Sequence, residues 1–581
     1  MLTRLAVRNF KQFDEIDIEL GNPVVFVGPN DSGKTSALQV LTLWDLGLRR
    51  WSEKRGSGAP EERPGIAINR RDLTGIPAPT AKQLWRDLHV RNTFRDAEDK
   101  QRTENIRIDV VVDGVSAAAA WSCGLEFDYA NEEAFHCRPL RRSDGAGRMP
   151  VPDEARSTRV ALLSPMSGLA ANETKLEPGA VSVRIGEGRT AEVLRNLCFQ
   201  LIESPGGEDR WSALHDRIER LFGARLDRPR LVVERGEIDM TFRNRRGVSL
   251  DLTSAGRGMQ QTLLLLAFLG LNAGSVVLLD EPDAHLEILR QRQTYQLLSD
   301  AAAESGSQVI IASHSEVILN EAADRDVVVA FVGRPHRIDD RASQVRKALK
   351  DIGYEDYYQA EVKGWVLYLE GSTDLAALLA FARKLGHGAA DLLEAPFVHF
   401  VANQPSKARE HFFGLSEAAS GLAGLALFDR LDSSLQAGTR LAETMWQRRE
   451  IENYLCQPAS LRAYALASAR EAAPPGSLFE AGETERRVAA MEACIEDRVP
   501  PAALRNPADR FWIDVKASDD LLDPIVEDFF ARLGLPNLLR KSDYHRLAAH
   551  VPADQLPAEV SDVLDLVVAT AGRATPRRGA S

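Results

Sequence analysis

The feature that most constrains this chain is the apolar run Val24-Val25-Phe26-Val27 leading into Gly28-Pro29-Asn30-Asp31-Ser32-Gly33-Lys34-Thr35. The apolar run reads as a buried strand, and the spacing of Ala37, Leu38, Val40 and Leu41 predicts a helix directly after the loop. A Gly-x-x-x-x-Gly-Lys-Thr loop in that setting lets backbone N–H groups approach phosphate, with the helix N-terminus adding a favourable dipole. Lys34 is then expected to reach the β- and γ-phosphates of ATP and Thr35 to ligate Mg²⁺, with Gly28, Asn30, Ser32 and Gly33 forming the cradle.

Three further segments point the same way. Val276-Val277-Leu278-Leu279-Asp280-Glu281-Pro282 is an apolar strand ending in two carboxylates. Asp280 is expected to hold the Mg²⁺ shell and Glu281 to polarise the attacking water. A buried strand with a charged exit turn would explain the strand but not this ending. Ser254-Ala255-Gly256-Arg257-Gly258 places small residues before an apolar helix, which makes either an anion site or an ordinary cap at Ser254. Val309-Ile310-Ile311-Ala312-Ser313-His314 is another apolar strand, ending in a histidine after a helix-length crossover.

Together these segments resemble the ATP-binding-cassette class of P-loop ATPases, in the branch shared by SMC, RecF and OLD (overcoming lysogenization defect) proteins. The resemblance implies heads that dimerise around ATP. Ser254, Gly256 and Gly258 of one copy would contact the γ-phosphate held by Lys34 of the other, with Glu281 as catalytic carboxylate and His314 as γ-phosphate sensor. No heptad lies between Lys34 and Ser254, so the long coiled-coil arms of the SMC branch are not expected.

A second centre is readable beyond residue 340. Trp365-Val366-Leu367-Tyr368-Leu369 is an apolar strand ending in Glu370, Gly371 allows a tight turn, and Asp374 falls in the first turn of the next predicted helix. Leu422–Phe428 is a second apolar strand, ending at Asp429 with Asp432 close behind. Open α/β sheets place ligands beyond the C-terminal edge of their strands, and carboxylates gathered there suit hard cations such as Mg²⁺ or Mn²⁺. Each pair alone could be a polar turn or an N-terminal helix charge; two in order are harder to dismiss.

This half resembles the TOPRIM (topoisomerase–primase) fold appended to the ATPase in OLD-family nucleases. The run Arg448-Arg449-Glu450-Ile451-Glu452-Asn453-Tyr454 is similar to a segment of OLD-like and PARIS-type TOPRIM domains. The resemblance brings Glu452, ahead of Glu450, into the metal site. It also makes Leu539-Arg540-Lys541-Ser542-Asp543-Tyr544-His545 the closing motif, with Lys541 beside the cleaved phosphate. The usual Asp-x-Asp is here Asp429-Arg430-Leu431-Asp432, so Asp432 would have to reach in from a turn.

The expected fold class is α/β: a cassette-type ATPase over 1–340, a TOPRIM domain with helical additions over 341–575, and a disordered tail over 576–581. Further expectations are strands at Ile106–Val112, Val160–Leu163 and Val181–Ile185, helices around Ala191–Ile202 and Ala342–Ile352, a hairpin-like run over Leu231–Leu252, and loops with short helices over 52–105. The uncharged stretch Gly258–Leu279 reads as a buried helix, turn and strand rather than a membrane span.

Composition limits the setting. Five scattered cysteines without a Cys-x-x-Cys pair argue against a disulfide framework or a cysteine zinc site and for a reducing cytoplasm. The start has no apolar signal-peptide region. A net charge of −12 excludes a protein coated in basic surface but not a nucleic-acid enzyme, since local charge decides phosphate binding. Candidate basic clusters are Arg49-Arg50, Arg70-Arg71, Arg138/Arg141/Arg142, Arg243/Arg245/Arg246 and Arg448-Arg449, each more often a solvated face than a contact.

The leading expectation is an ATP-regulated, metal-dependent endonuclease, dimeric or larger, cutting DNA in anti-phage defence with a possible partner protein from the same system. An RNA- or tRNA-cutting effector, and a DNA-binding ATPase clamp with an inactive TOPRIM scaffold, are the competing readings.

Overall fold

A computed structural model of the chain describes all residues except 57–63, 96–100, 117–118, 143, 145–146, 167, 323–325, 333, 339–352, 420, 437–439, 474–475, 477–478 and 575–581. The helix expected at Ala342–Ile352 and the tail from Thr575 lie outside the described residues. The chain divides into two compact units, residues 1–342 and 343–578.

The first unit is built on two six-stranded sheets. One orders the strands Val160–Leu163, Val276–Asp280, Gln308–Ser313, Val24–Val27, Val327–Ala330 and His336–Arg337; all pairs are parallel except the last. Its central strands are buried end to end, which is why they read as unbroken apolar runs. The other sheet is antiparallel, formed by Phe13–Glu19, Leu2–Phe10, Ile108–Ser116, Ala119–Asn131, Ala134–Pro139 and Ile66–Asn69. Alternating burial along Ile108–Ser116 shows its one-sided character. The helix Lys34–Arg55 packs between them, with Trp44 and Trp51 fully enclosed.

The expected strand at Val181–Ile185 is a helix, Pro178–Gly186. Strand alternation would have put Val181, Val183 and Ile185 on one face. Instead Val181 and Ile185, four residues apart, are buried while Val183 is 42% exposed. Pro178 opens the helix, where its missing N–H costs nothing. Within 52–105, strands Ile66–Asn69, Arg91–Arg95 and Gln101–Asn105 accompany the short 3₁₀ turns. The remaining predictions in this unit correspond to the 3₁₀ turn and helix over Thr190–Glu203, two short hairpins over Arg230–Asp251, and the helix Arg257–Leu271 followed by the strand Val276–Asp280.

The second unit holds a four-stranded parallel sheet ordered Val398–Phe400, Trp365–Leu369, Ala423–Phe428 and Leu441–Met445. Helix Ser372–Leu385 buries Ala377, Leu378, Phe381 and Ala382 on one side of it. A helical layer from Pro458 to Gly572 completes a core around Trp512, Ile525, Phe529 and Leu564. All five cysteines are free and buried, and no described helix is long and apolar enough to cross a membrane.

Candidate functional site

In the first unit the phosphate loop is shaped by its glycines. Gly33 has φ 102°, and a Cβ there would meet the Gln12 amide at 2.6 Å and the Phe13 ring at 2.7 Å. Only glycine satisfies both the backbone and the space. Gly28 and Asn30 belong to the same loop, and Asp31 adopts φ 62° without being glycine. The buried Lys34 ammonium donates to the carbonyls of Gly28 at 2.8 Å and Pro29 at 2.6 Å. Burial lowers its pKa, against the opposing pull of Glu281 and Asp280.

Parallel pairing brings the other strand ends to this loop. The Thr35 hydroxyl donates to Asp280, 3.1 and 3.0 Å from its two carboxylate oxygens. Burial pushes the Asp280 carboxyl up to about 6, the Thr35 hydrogen bond opposes this, and Glu281 and Asp283 add to it. Glu281 sits at φ 48°, a conformation non-glycine residues seldom adopt, and its Oε1 lies 3.8 Å from Nδ1 of His314. The Ser32 hydroxyl is buried with no hydrogen-bond partner among the described residues. An unpaired donor and a burial-stressed carboxylate around one loop fit a phosphate and its Mg²⁺, which would satisfy both.

Ser254, Gly256 and Gly258 are not beside that loop's contacts but line a separate open pocket of about 770 Å³, together with Arg245, Arg246 and Arg257. Gly256 caps the helix Arg257–Leu271. Asp283, buried beside Ser313, was not singled out by sequence reasoning; its position two residues past Glu281 was the available signal.

In the second unit, strands Trp365–Leu369 and Ala423–Phe428 are neighbours and parallel, so Glu370 and Asp429 leave the same sheet edge. The two carboxyls lie side by side there, close enough for the Glu370 charge to act on Asp429. Burial, then the charge and hydrogen bond of Glu370, and then Asp374 and Glu452 hold Asp429 well above the usual carboxylate range. Asp374 caps its helix by accepting from Gly371 N at 2.7 Å, and burial with Glu370 and Glu450 raises it to about 6. Glu452, in the 3₁₀ turn Ile451–Tyr454, is pushed to about 8 by burial and then by Glu450 and Asp374, with Lys541 opposing. Lys541 and Lys516 both pair with Asp519.

Glu370, Asp374, Asp429 and Glu452 are thus brought together; Asp432 is exposed and has no hydrogen bond or ion pair among the described residues. The buried Glu450 belongs to the group more closely than sequence reasoning gave it credit for. The donors gathered in this region are carboxylate oxygens, the type that suits Mg²⁺ or Mn²⁺, while among the described residues no three of them come within 4.8 Å of one another. Asn453 shapes the turn: it accepts from Glu450 N at 3.0 Å and donates to the carbonyls of Trp512 and Val515 at 3.1 and 2.9 Å.

Most candidate basic clusters are engaged locally. Arg49 pairs with Asp45, Arg50 with Glu53 and Asp72, Arg70 with Glu133, Arg138 with Glu126, Arg142 with Asp144 and Arg243 with Asp227. Arg448 bonds Asn453 O and covers the Tyr454 ring, and Arg449 bonds Asp514 O. Arg245 and Arg246 form no ion pair among the described residues.

Residues 199–320 match the family described as "AAA domain, putative AbiEii toxin, Type IV TA system", and residues 1–45 match "AAA ATPase domain". A curated OLD nuclease from Thermus scotoductus is 25% identical over 422 residues, spanning 66% of this chain and 74% of that protein. Similar solved structures include the SMC head domain from Thermotoga maritima, at 13% identity and a TM-score of 0.33, covering 58% of this chain and 98% of that one. A Pyrococcus furiosus Smc head bound to the C-terminal domain of ScpA, at 13% identity and TM-score 0.35, covers 60% of this chain and 99% of that one. The chain carries an ATPase domain and is related to the OLD nuclease.

Proposed function

We propose that this OLD-related ATPase is a divalent-metal-dependent endonuclease that cuts DNA, with a TOPRIM-type centre in its second unit. The convergence of Glu370, Asp374, Asp429 and Glu452 at one sheet edge supports the reading most directly. Crowded carboxyls, here a buried Glu452, half-buried Asp374 and Asp429 and an exposed Glu370, raise one another's pKa and destabilise the fold, an arrangement that makes chemical sense when cations are to be held.

Glu370, Asp374, Asp429 and Glu452 would hold Mg²⁺ or Mn²⁺, which would stabilise charge on the attacking and leaving oxygens of a phosphodiester. Lys541, paired with Asp519, would offset phosphate charge. The raised pKa of Asp429 sets a requirement: it must lose its proton before it can act as a ligand.

In the first unit Lys34, Thr35 and Asp280 bind Mg²⁺-ATP, and Glu281 orients water for hydrolysis. The pocket bearing Ser254, Gly256 and Gly258 would receive the γ-phosphate side of a second copy, so that ATP assembles a homodimer or a larger oligomer that controls cutting. A role in anti-phage defence, alone or with a partner protein, is the setting the OLD likeness suggests.

Supercoiled plasmid and total RNA incubated with Mg²⁺ or Mn²⁺ test the reading. Nicking of plasmid by wild type and none by Glu370→Ala is the expected result. Equal nicking by both would remove the assigned centre, cleavage of RNA alone would move the substrate to RNA, and ATP-dependent DNA retention without cleavage would leave a clamp.

A further inference from the structure

A second group of ligand-type side chains lies in the same unit but belongs to none of the chemistry above. Asp356 comes from helix Tyr354–Lys363, His399 from the edge strand Val398–Phe400, and His411 from helix Pro405–Ala418. One carboxylate oxygen, Asp356 Oδ2, faces His411 Nε2 at 2.9 Å and His399 Nδ1 at 3.2 Å. The two imidazoles lie nearly parallel, 3.8 Å between centroids and 15° between planes, so both present a nitrogen to the same point.

We propose that Asp356, His399 and His411 form a binding site for a borderline divalent transition metal, with Zn²⁺ as the ion of choice.

Three arguments carry this. Ligand atoms on a tetrahedral ion at ~2.0–2.1 Å stand roughly 3.3–3.5 Å apart, and the three donor atoms here all lie within 4.8 Å of one another. Small shifts therefore convert the hydrogen-bonded trio into a coordination set. The donor type is different from that of the carboxylate centre: two imidazole nitrogens and one carboxylate oxygen favour zinc-like ions over Mg²⁺. Finally, the trio has the outer support that metal-bound histidine usually has. The buried Tyr368 hydroxyl lies 2.9 Å from His411 Nδ1, and Tyr368 pairs with His399 across the sheet. A hydroxyl can accept as well as donate, so His411 can carry its proton on Nδ1 and turn a bare Nε2 to the metal.

His411 is 9% exposed, whereas the side chains of His399 and Asp356 are 34% and 23% exposed, so the site is reachable from solvent. Three protein donors leave a coordination position for water, as in catalytic rather than purely structural zinc sites. The competing account is a hydrogen-bonded tie that only fastens the three elements together.

The test uses the full chain carrying Glu370→Ala, so that cleavage does not enter the result, and metal held by the remaining carboxylates is the part that Asp356→Asn and His399→Ala leave unchanged. Chelator-treated protein is titrated with Zn²⁺ and, separately, Co²⁺. One tightly held equivalent is expected, with visible Co²⁺ absorption and a rise in Tm on adding zinc. Asp356→Asn and His399→Ala should each weaken zinc binding by at least about tenfold, and Tyr368→Phe should weaken it less. If His411→Ala does not fold, His399→Ala at the sheet edge decides, because its folding is checked by Tm in chelator. Absence of tight zinc in the parent, or equal zinc in parent and Asp356→Asn, overturns the proposal in favour of the tie.

Discussion

The Thr35 hydroxyl lies 3.0 Å from Oδ2 of Asp280, across 245 residues of sequence, and joins the phosphate loop to the carboxylate strand. Both groups are oxygen ligands of the kind Mg²⁺ takes in nucleotide sites. Asp280→Asn keeps the shape but removes the charge, so ATP hydrolysis should fall by about a hundredfold or more. Thr35→Ser keeps the hydroxyl and should keep most of the activity, whereas Thr35→Ala should not. Measured phosphate release with matched nucleotide binding checks the pair; full activity in Asp280→Asn would reject its metal role.

Glu281 and His314 are also adjacent, but neither anchors the loop. Glu281→Gln should therefore bind ATP like wild type while turnover drops about 10²–10³-fold. Equilibrium binding of a labelled nucleotide alongside steady-state hydrolysis separates the two effects. Loss of binding in Glu281→Gln would show a structural role for the strained φ 48° turn instead.

The second unit allows a sharper contrast. Asp429 is crowded by Glu370, Asp374 and Glu452, while Asp432 stands exposed and without a partner among the described residues. Asp429→Asn should abolish metal-dependent plasmid nicking, and Asp432→Ala should leave it within about twofold of wild type, as for surface changes away from a site. An inactive Asp432→Ala would mean that the turn after Phe428 closes inward with substrate.

The sites were legible where chemistry sits at the end of a buried strand. A parallel strand is enclosed on both faces and must be apolar throughout, so the first carboxylate after Leu279, Leu369 or Phe428 marks the sheet edge. Five residues at Val181–Ile185 were too few to separate alternation from helical spacing, and Val181 and Ile185 satisfy both. Glu450 was underrated because its burial depends on partners far along the chain, among them Ser518 N. The Asp356–His399–His411 trio was invisible for a similar reason. Three unremarkable residues on two helices and an edge strand meet only after the sheet forms.

Acidity in the carboxylate centre has a consequence for stability. Ordinary unfolded values are about 3.9 for Asp and 4.3 for Glu, whereas Asp374 and Glu452 stand at about 6 and 8 in the folded unit. The folded state therefore holds more protons across that interval. The stability contributed by these two groups is fully present below their unfolded values and is lost as pH rises towards 8. Divalent cations should reverse the decline by pairing with the ionised groups. Glu452→Gln should raise the metal-free Tm at pH 8 relative to wild type, flatten its fall between pH 5 and 8, and reduce the gain from Mn²⁺. Parallel pH profiles for the two proteins would count against a charge-stressed centre.

Asn453 provides the opposite case, a residue in the recognised Glu-Asn-Tyr run whose contacts are all internal. It is fully buried, and its amide satisfies Glu450 N and the Trp512 and Val515 carbonyls. Asn453→Ala leaves those backbone groups without their partner, at about 1–3 kcal/mol for each one left unsatisfied. It also frees the turn that carries both Glu450 and Glu452. The expected outcome is a lower Tm with or without Mn²⁺, together with weakened cleavage. Glu452→Gln should lose cleavage while gaining metal-free stability. Following Tm and nicking in the same two variants distinguishes a residue that builds the site from one that would hold its metal. If Asn453→Ala lost cleavage at unchanged Tm, the amide would have to act on metal or substrate directly.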